Sequence, residues 1–282
     1  MWIDSHCHLN HERAQGLGSV DNIVENAKDN SVDGMLTVCC NIEQEKDELR
    51  AIAARHENVW YSIGTHPHDA AEIYDSEMSQ EELVNLVQTD EKIVAIGETG
   101  LDYFYDNAPR EKQKASFRKH IRASIETGLP LIIHTRDAEQ DTVDILKEEG
   151  ANGKINAVLH CFTGTQWLAD KALDMGLYIS FSGIVTFKNS KDLQETAKTI
   201  PLDRFLVETD APFLAPVPHR GKTNTPAFVG HTGTFVAELK GITPQLCAQT
   251  SKDNFFNLFT KAKETWQPLA IKTQGKGAHE QS

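Results

Sequence analysis

Short apolar runs alternate with longer stretches whose apolar residues recur at three- and four-residue steps, from one end of the chain to the other. The runs at 2–4, 35–38, 59–63, 93–96, 131–133, 157–159, 177–180 and 205–207 are rich in β-branched residues and mostly lack polar alternation. Strands buried on both faces read this way. The stretches between them, such as 43–56, 109–127 and 138–149, carry the helical period. Eight strands, each followed by a helical segment, predict an α/β fold: a single closed (β/α)8 barrel of the TIM type. An open doubly wound sheet is the alternative. The segment 211–226 holds Pro212, Pro216, Pro218 and Pro226 directly after the last strand. It is too rigid and irregular for a helix and reads as a long loop over the barrel top. No repeat or linker divides the chain, so one domain is expected over 1–265, with a polar, Gly- and Lys-rich tail at 266–282 that frays.

Composition narrows this picture. A length of 282 residues suits one barrel, which typically takes about 250. Hydrophobic residues at 39% and charged residues at 24% support a packed core. With 28 Lys and Arg against 41 Asp and Glu, the formal charge is −13. That excludes a general polyanion-binding surface, so a nucleic-acid partner requires local positive charge or bound metal. No apolar run approaches the ~20 residues that cross a bilayer, so no membrane association is expected. The start of the chain is neither basic nor long and apolar, unlike a secretory signal. Five Cys, including adjacent Cys39 and Cys40, do not form a disulfide pattern and fit a reducing cytoplasm. No obligate protein partner is evident, and the oligomeric state is not legible.

The informative feature is positional. Acidic and imidazole side chains follow the apolar runs: Asp4, His6 and His8 after the first, His66 and His68 after the third, Glu98 after the fourth. His134 follows the fifth, His160 the sixth, and Glu208 and Asp210 the eighth. In a parallel barrel these ends gather at one rim, where the active sites of this architecture lie. His6 and His8, two apart on an extended chain, share a face and can reach one metal, while Cys7 points away as a packed thiol. Glu98, in a strand broken by Gly97 and Gly100, is either a loop-bracing carboxylate or one that bridges two cations. His134 and His160 are either core histidines bonded to carbonyls or ligands. Asp210 either caps the following turn or takes the proton of a metal-acidified water. Together, His6, His8, Glu98, His134, His160 and Asp210 suffice for two divalent ions sharing a carboxylate, the arrangement for metal-assisted hydrolysis. Mixed nitrogen and oxygen donors fit Zn or Mn by affinity, with Mg allowed by abundance.

Several stretches carry a family likeness, in order along the chain: Asp4-Ser5-His6-Cys7-His8-Leu9, Gly64-Thr65-His66-Pro67-His68, and Gly97-Glu98-Thr99-Gly100-Leu101-Asp102-Tyr103. His134-Thr135-Arg136-Asp137-Ala138, His160-Cys161-Phe162-Thr163-Gly164 and Ser180-Phe181-Ser182-Gly183-Ile184 continue it. Glu208-Thr209-Asp210-Ala211-Pro212 and Ala215-Pro216-Val217-Pro218-His219-Arg220-Gly221-Lys222 complete it. With them the sequence resembles the TatD family of metal-dependent hydrolases, within the amidohydrolase-type barrels, over residues 4 to about 260. The resemblance implies a TIM-type barrel and a metal-dependent deoxyribonuclease, typically a 3′→5′ exonuclease. It implies His6 and His8 on one metal, His134 and His160 on the other, Glu98 between them, and Asp210 as ligand and base. Two departures stand out. Asn224-Thr225-Pro226 replaces a pattern with Glu or Gln in the middle, so a contact across the rim from Thr225 is in doubt. Thr65 stands where Val or Ile is usual, a minor change.

The favoured expectation is therefore a hydrolase cutting a single-stranded DNA end, with catalytic roles for Asp210 and Glu98. His66, Arg136, Arg220 and Lys222 are candidates to hold phosphate, His66 foremost; Arg136 has the alternative of pairing with Asp137 or Glu139. His68 and His219 read as structural or exposed. A hydrolase of esters or amides, for example one that removes a misattached amino acid from tRNA, would use the same ligands. A non-catalytic metal-binding scaffold is a third reading.

Overall fold

The computed structural model describes residues 1–150 and 155–268. Its elements run β1 (Trp2–Cys7), α1 (Val20–Asp29), β2 (Val32–Thr37), α2 (Ile42–Arg55), β3 (Val59–Ile63), α3 (Ile73–Glu77) and α4 (Gln80–Val87). Next come β4 (Ile93–Asp102), α5 (Arg110–Thr127), β5 (Leu131–Arg136), α6 (Glu139–Glu149), β6 (Ala157–Leu159) and α7 (Gln166–Asp174). The last described elements are β7 (Tyr178–Phe181), α8 (Lys191–Thr199), β8 (Phe205–Val207), α9 (Val229–Lys240), α10 (Pro244–Leu258) and α11 (Thr260–Thr265). The eight strands form one sheet in chain order, every pairing parallel.

The two edges of that sheet meet. Asp210 N–H donates to His6 O at 2.9 Å and His8 N–H donates to Ala211 O at 2.8 Å, with a parallel bridge between Cys7 and Ala211. Closure turns the sheet into a TIM-type barrel, and the open-sheet alternative fails on these bonds. The residues that close it include His6, His8 and Asp210, so barrel formation and site assembly are one event.

The two faces of the sheet pack differently. One face presents Val59, Tyr61, Leu131, Ile133, Leu159, Ile179 and Val207 to the main core. Residues one step out of phase, Leu36, Trp60, Val94, Ile132, Val158 and Leu206, form a second cluster with Phe255, Phe256, Leu258 and Phe259. The α10–α11 corner seals that end of the barrel: Asn254 donates to Leu202 O and Phe205 O, and Trp60 Nε1 donates to Thr265 Oγ1.

Every expected strand occurs where the apolar runs place it, but β1, β4 and β5 continue further, to Cys7, Asp102 and Arg136. After a register shift between Ile96 and Thr99, the extra residues of β4 and β5 pair in parallel, Gly100 with His134 and Asp102 with Arg136. They are polar because of where they point. His134 stands two residues above Ile132, His160 two above Val158 and Glu208 two above Leu206, so the period of two lifts them from the apolar plug to the rim. The segment 211–226 is irregular, as expected. Of the expected tail 266–282, residues beyond 268 lie outside the described residues.

One buried histidine supports the rim from behind. His120 on α5 donates through Nδ1 to Ser116 O (2.8 Å), and its Nε2 accepts from the Thr65 N–H (3.2 Å). These partners assign the neutral tautomer. Burial pushes its pKa down to about 4. The unfolded chain, titrating near 6.5, takes up the proton first as pH falls. Stability from this group is therefore complete above pH ~6.5 and lost progressively toward pH 4. Between pH 7 and pH 5, urea denaturation of the natural protein should lose about 2 kcal/mol more than that of His120→Gln; equal losses would refute this placement.

Candidate metal centre

The closure between β1 and the loop after β8 brings three ligand groups together. His6 Nε2 and His8 Nε2 lie 3.3 Å apart. Asp210 Oδ1 is 3.8 Å from the first and 3.4 Å from the second. Cys7, between them, turns its thiol to Leu36 O at 3.5 Å. His8 Nδ1 faces Val38 O at 3.2 Å, which holds a proton on Nδ1 and turns Nε2 toward the cluster. Asp210 holds a left-handed φ of +56°, a cost of order 1 kcal/mol that functional sites characteristically retain.

Strands β4, β5 and β6 supply the other half. Glu98 Oε1 is 2.9 Å from His134 Nδ1 and 2.8 Å from His160 Nε2, and those nitrogens are 3.4 Å from each other. The second oxygen, Oε2, lies 3.3 Å from His6 Nε2 and 4.0 Å from His8 Nε2. Glu98 thus faces both imidazole pairs, one oxygen to each. Its approach depends on Gly97, at φ +128°, where a Cβ would sit 2.6 Å from Ile132 O. His6 and His160 stack at 3.9 Å and 8° between the halves.

The donor set fits divalent ions. His6 with His8 and Asp210, and His6 with Glu98 and His160, each gather three ligand atoms within 4.8 Å, as do His66, Glu98 and His134. So many acceptor atoms packed this closely are reconciled by protons or cations. The electrostatics agree. Burial alone would raise the Glu98 carboxyl, but the His160 charge and the bonds to His134 and His160 hold it well below the usual range. Burial would lower His160, yet Glu98 and Glu208 hold it well above. The Asp210 carboxyl is likewise kept low, against burial, by His8 and His6.

Three residues outside the expected set complete the surroundings. Asp102 Oδ2 accepts from His134 Nε2 at 3.2 Å and from His68 Nε2 at 3.1 Å. Glu208 accepts from the Cys161 N–H at 2.7 Å and lies 3.5 Å from His160 Nδ1. Cys40, just past β2, sets its thiol 3.8 Å from His8 Nδ1 and 3.9 Å from Glu98 Oε2. Asp102 was accessible to the period of two, since Glu98, Gly100 and Asp102 share a face, but it lies beyond the apolar run. Cys40 follows the strand-end rule applied to the second run. Partners of a ligating imidazole typically contribute 10- to 100-fold to metal affinity. Asp102→Asn should accordingly weaken Mn²⁺ binding about 10-fold or more in a calorimetric titration, and unchanged affinity would show that Asp102 does not orient His134.

The secondary candidates divide. His66 Nε2 lies 3.4 Å from Glu98 Oε1. Its Nδ1 accepts from the His68 N–H, and burial keeps the ring neutral, so Nε2 carries the proton toward the cluster. Arg136 pairs with neither Asp137 nor Glu139; its guanidinium lies over Phe104 at 3.9 Å and Tyr105 at 4.8 Å, and Glu139 is engaged by Thr165. Arg220 stacks on Phe187 at 4.0 Å, and Lys222 is exposed on the same loop; neither is brought against the ligand cluster. His68 is tied to Asp102, while His219 stacks on Phe228 and faces His231. The Thr225 and Thr65 hydroxyls are buried without hydrogen-bond partners, so Thr225 makes no side-chain hydrogen bond across the rim among the described residues. All five cysteines are free, and among the described residues no helix is long and apolar enough to cross a membrane.

Comparison with known proteins follows the same lines. Residues 3–260 match the family described as TatD related DNase. The uncharacterized metal-dependent hydrolase YcfH of Escherichia coli K12 is 44% identical over 258 residues, covering 91% of this chain and 95% of that protein. The 3′-5′ ssDNA/RNA exonuclease TatD of Citrobacter koseri is 33% identical over 256 residues, covering 89% and 96%. The crystal structure of YjjV, a TatD homolog from E. coli K12, superposes with a TM-score of 0.83 at 25% identity, covering 92% of this chain and 98% of that one.

Proposed function

Because the chain belongs to the TatD family of metal-dependent hydrolases, we propose that it is a deoxyribonuclease that removes nucleotides from the 3′ end of single-stranded DNA. The observation that carries this reading is the double facing of Glu98, one oxygen toward His6 and the other toward His134 and His160. That facing supports a site for two ions, which would suit in-line displacement at phosphorus. The name of the Citrobacter relative points to the same class of substrate.

His6, His8 and Asp210 would hold one ion and His134 and His160 the other, with Glu98 placed to serve both. When bound, two divalent cations supply Lewis-acid polarisation of the phosphoryl group and an acidified water. Asp210 is placed to take a proton from an attacking water. It is kept ionised by His8 and His6, and its side chain retains 13% exposure, so solvent reaches it. His66 offers its Nε2 proton to a phosphoryl oxygen. Arg136 supplies positive charge beside the entry, offsetting locally a chain of net charge −13.

The test pairs two substrates. A 5′-labelled single-stranded oligonucleotide and an aminoacyl-tRNA ester are incubated with metal-replete protein, with and without chelator. Chelator-sensitive shortening of the oligonucleotide is expected; ester turnover with the strand left intact would sink the nuclease reading and establish the ester hydrolase in its place.

A further inference from the structure

Two exposed aromatic rings stand at the rim without a role in the hydrolytic machinery. Phe104 and Tyr105, in the turn after β4, are 55% and 54% exposed. Single exposed aromatics are ordinary on a protein surface. These two are consecutive, set edge to face at 4.9 Å and 90°, and share the guanidinium of Arg136 at 3.9 and 4.8 Å. Among the described residues, no carboxylate pairs with Arg136 to neutralise it.

The pair is also tied to the metal centre through one side chain. Asp102 Oδ1 accepts from the Phe104 N–H at 3.0 Å and the Tyr105 N–H at 2.9 Å, while its Oδ2 holds His134 and His68. A row of rings follows the same path. His134 meets His66 at 4.6 Å, His66 meets His68 at 4.3 Å, and His68 meets Tyr105 at 5.4 Å. At ~3.4 Å per stacked nucleotide, a strand covers that span within its first few residues.

We infer that Phe104 and Tyr105, with Arg136 between them, form a nucleobase-stacking subsite that holds a base a few nucleotides from the scissile bond. The inference rests on the nuclease reading above and adds the part of the substrate that is recognised. Aromatic faces accept any base, and the stacked guanidinium keeps its N–H groups for the neighbouring phosphate. The subsite is therefore tolerant of sequence and selective for unpaired strands, since paired bases present no free face.

The experiment compares metal-replete wild type with Phe104→Ala/Tyr105→Ala. One substrate is a short single strand, and the other is the same strand with abasic tetrahydrofuran residues at the second to fourth positions from the 3′ end. For the normal strand, the double variant should raise KM about tenfold while kcat changes by less than about twofold. The abasic strand should show a raised KM with wild type and no further rise with the variant. Phe104→Trp with Tyr105→Trp should restore binding, separating stacking from a folding defect. Equal KM values for the two strands with wild type, or equal effects of the variant on both, would overturn the subsite. Failure of wild type to cleave either strand would overturn it together with the nuclease reading, a distinguishable result.

Discussion

Replacing Asp210 with Asn is expected to lower kcat on a single-stranded oligonucleotide by about 10³, within the ~10²–10⁴ that a positioned general base contributes. The substitution keeps size and shape. It also keeps the backbone bond from Asp210 N–H to His6 O that closes the barrel. Asn tolerates the left-handed φ of +56° at this position. What it removes is the proton acceptor facing His8 Nε2 at 3.4 Å. Single-turnover rates at saturating Mn²⁺, read beside the melting temperature, isolate the chemical step. Rates near wild type in a metal-replete variant would remove Asp210 from the base role.

The second large effect is on stability. A ligand present at a hundred times its dissociation constant stabilises the folded state by about 3 kcal/mol per site. Two sites on a domain of this size should raise the melting temperature by roughly 10 °C when Mn²⁺ is added to chelator-treated protein. Glu98→Gln should lose most of that gain, because one carboxylate faces both imidazole pairs at 2.8–3.3 Å and the amide carries no charge for either ion. The comparison is between metal-free and metal-loaded forms of the same variant, so any intrinsic cost of the substitution cancels. An undiminished shift in Glu98→Gln would show that the ions, if bound, do not share Glu98.

Much of this was legible from the chain. Strands 59–63, 157–159 and 205–207 coincide with β3, β6 and β8, because each is buried throughout and apolar at its last residue, so no run of site-facing polar residues shortens it. The six ligand candidates were legible from strand ends, and the family resemblance agreed with them. What escaped is instructive. Runs 2–4, 93–96 and 131–133 end early because the upper inward positions of β1, β4 and β5 carry site residues, so hydrophobicity stops before the ladder does. Asp102 was hidden for that reason. The Arg136 side chain had two plausible carboxylate partners next to it in sequence, yet stacks on rings from the neighbouring strand's turn. His120 sits among Lys114, Arg118, Lys119 and Arg122 on α5, a polar context that gives no hint of complete burial.

The acidic composition also takes on a more specific meaning. A charge of −13 opposes coating a duplex, but Glu98 and Asp210 contribute to it within the candidate metal centre, where divalent cations would reverse the local sign. Arg136, stacked on Phe104 and Tyr105, adds positive charge beside that centre.

The most direct measurement titrates chelator-treated protein with Mn²⁺ while following a 5′-labelled single strand by product mapping. A two-ion phosphodiesterase gives no cleavage without metal, then products shortened from the 3′ end whose formation saturates at two equivalents per chain. A strand that stays intact at saturating metal, or one cut equally well in chelator, contradicts it.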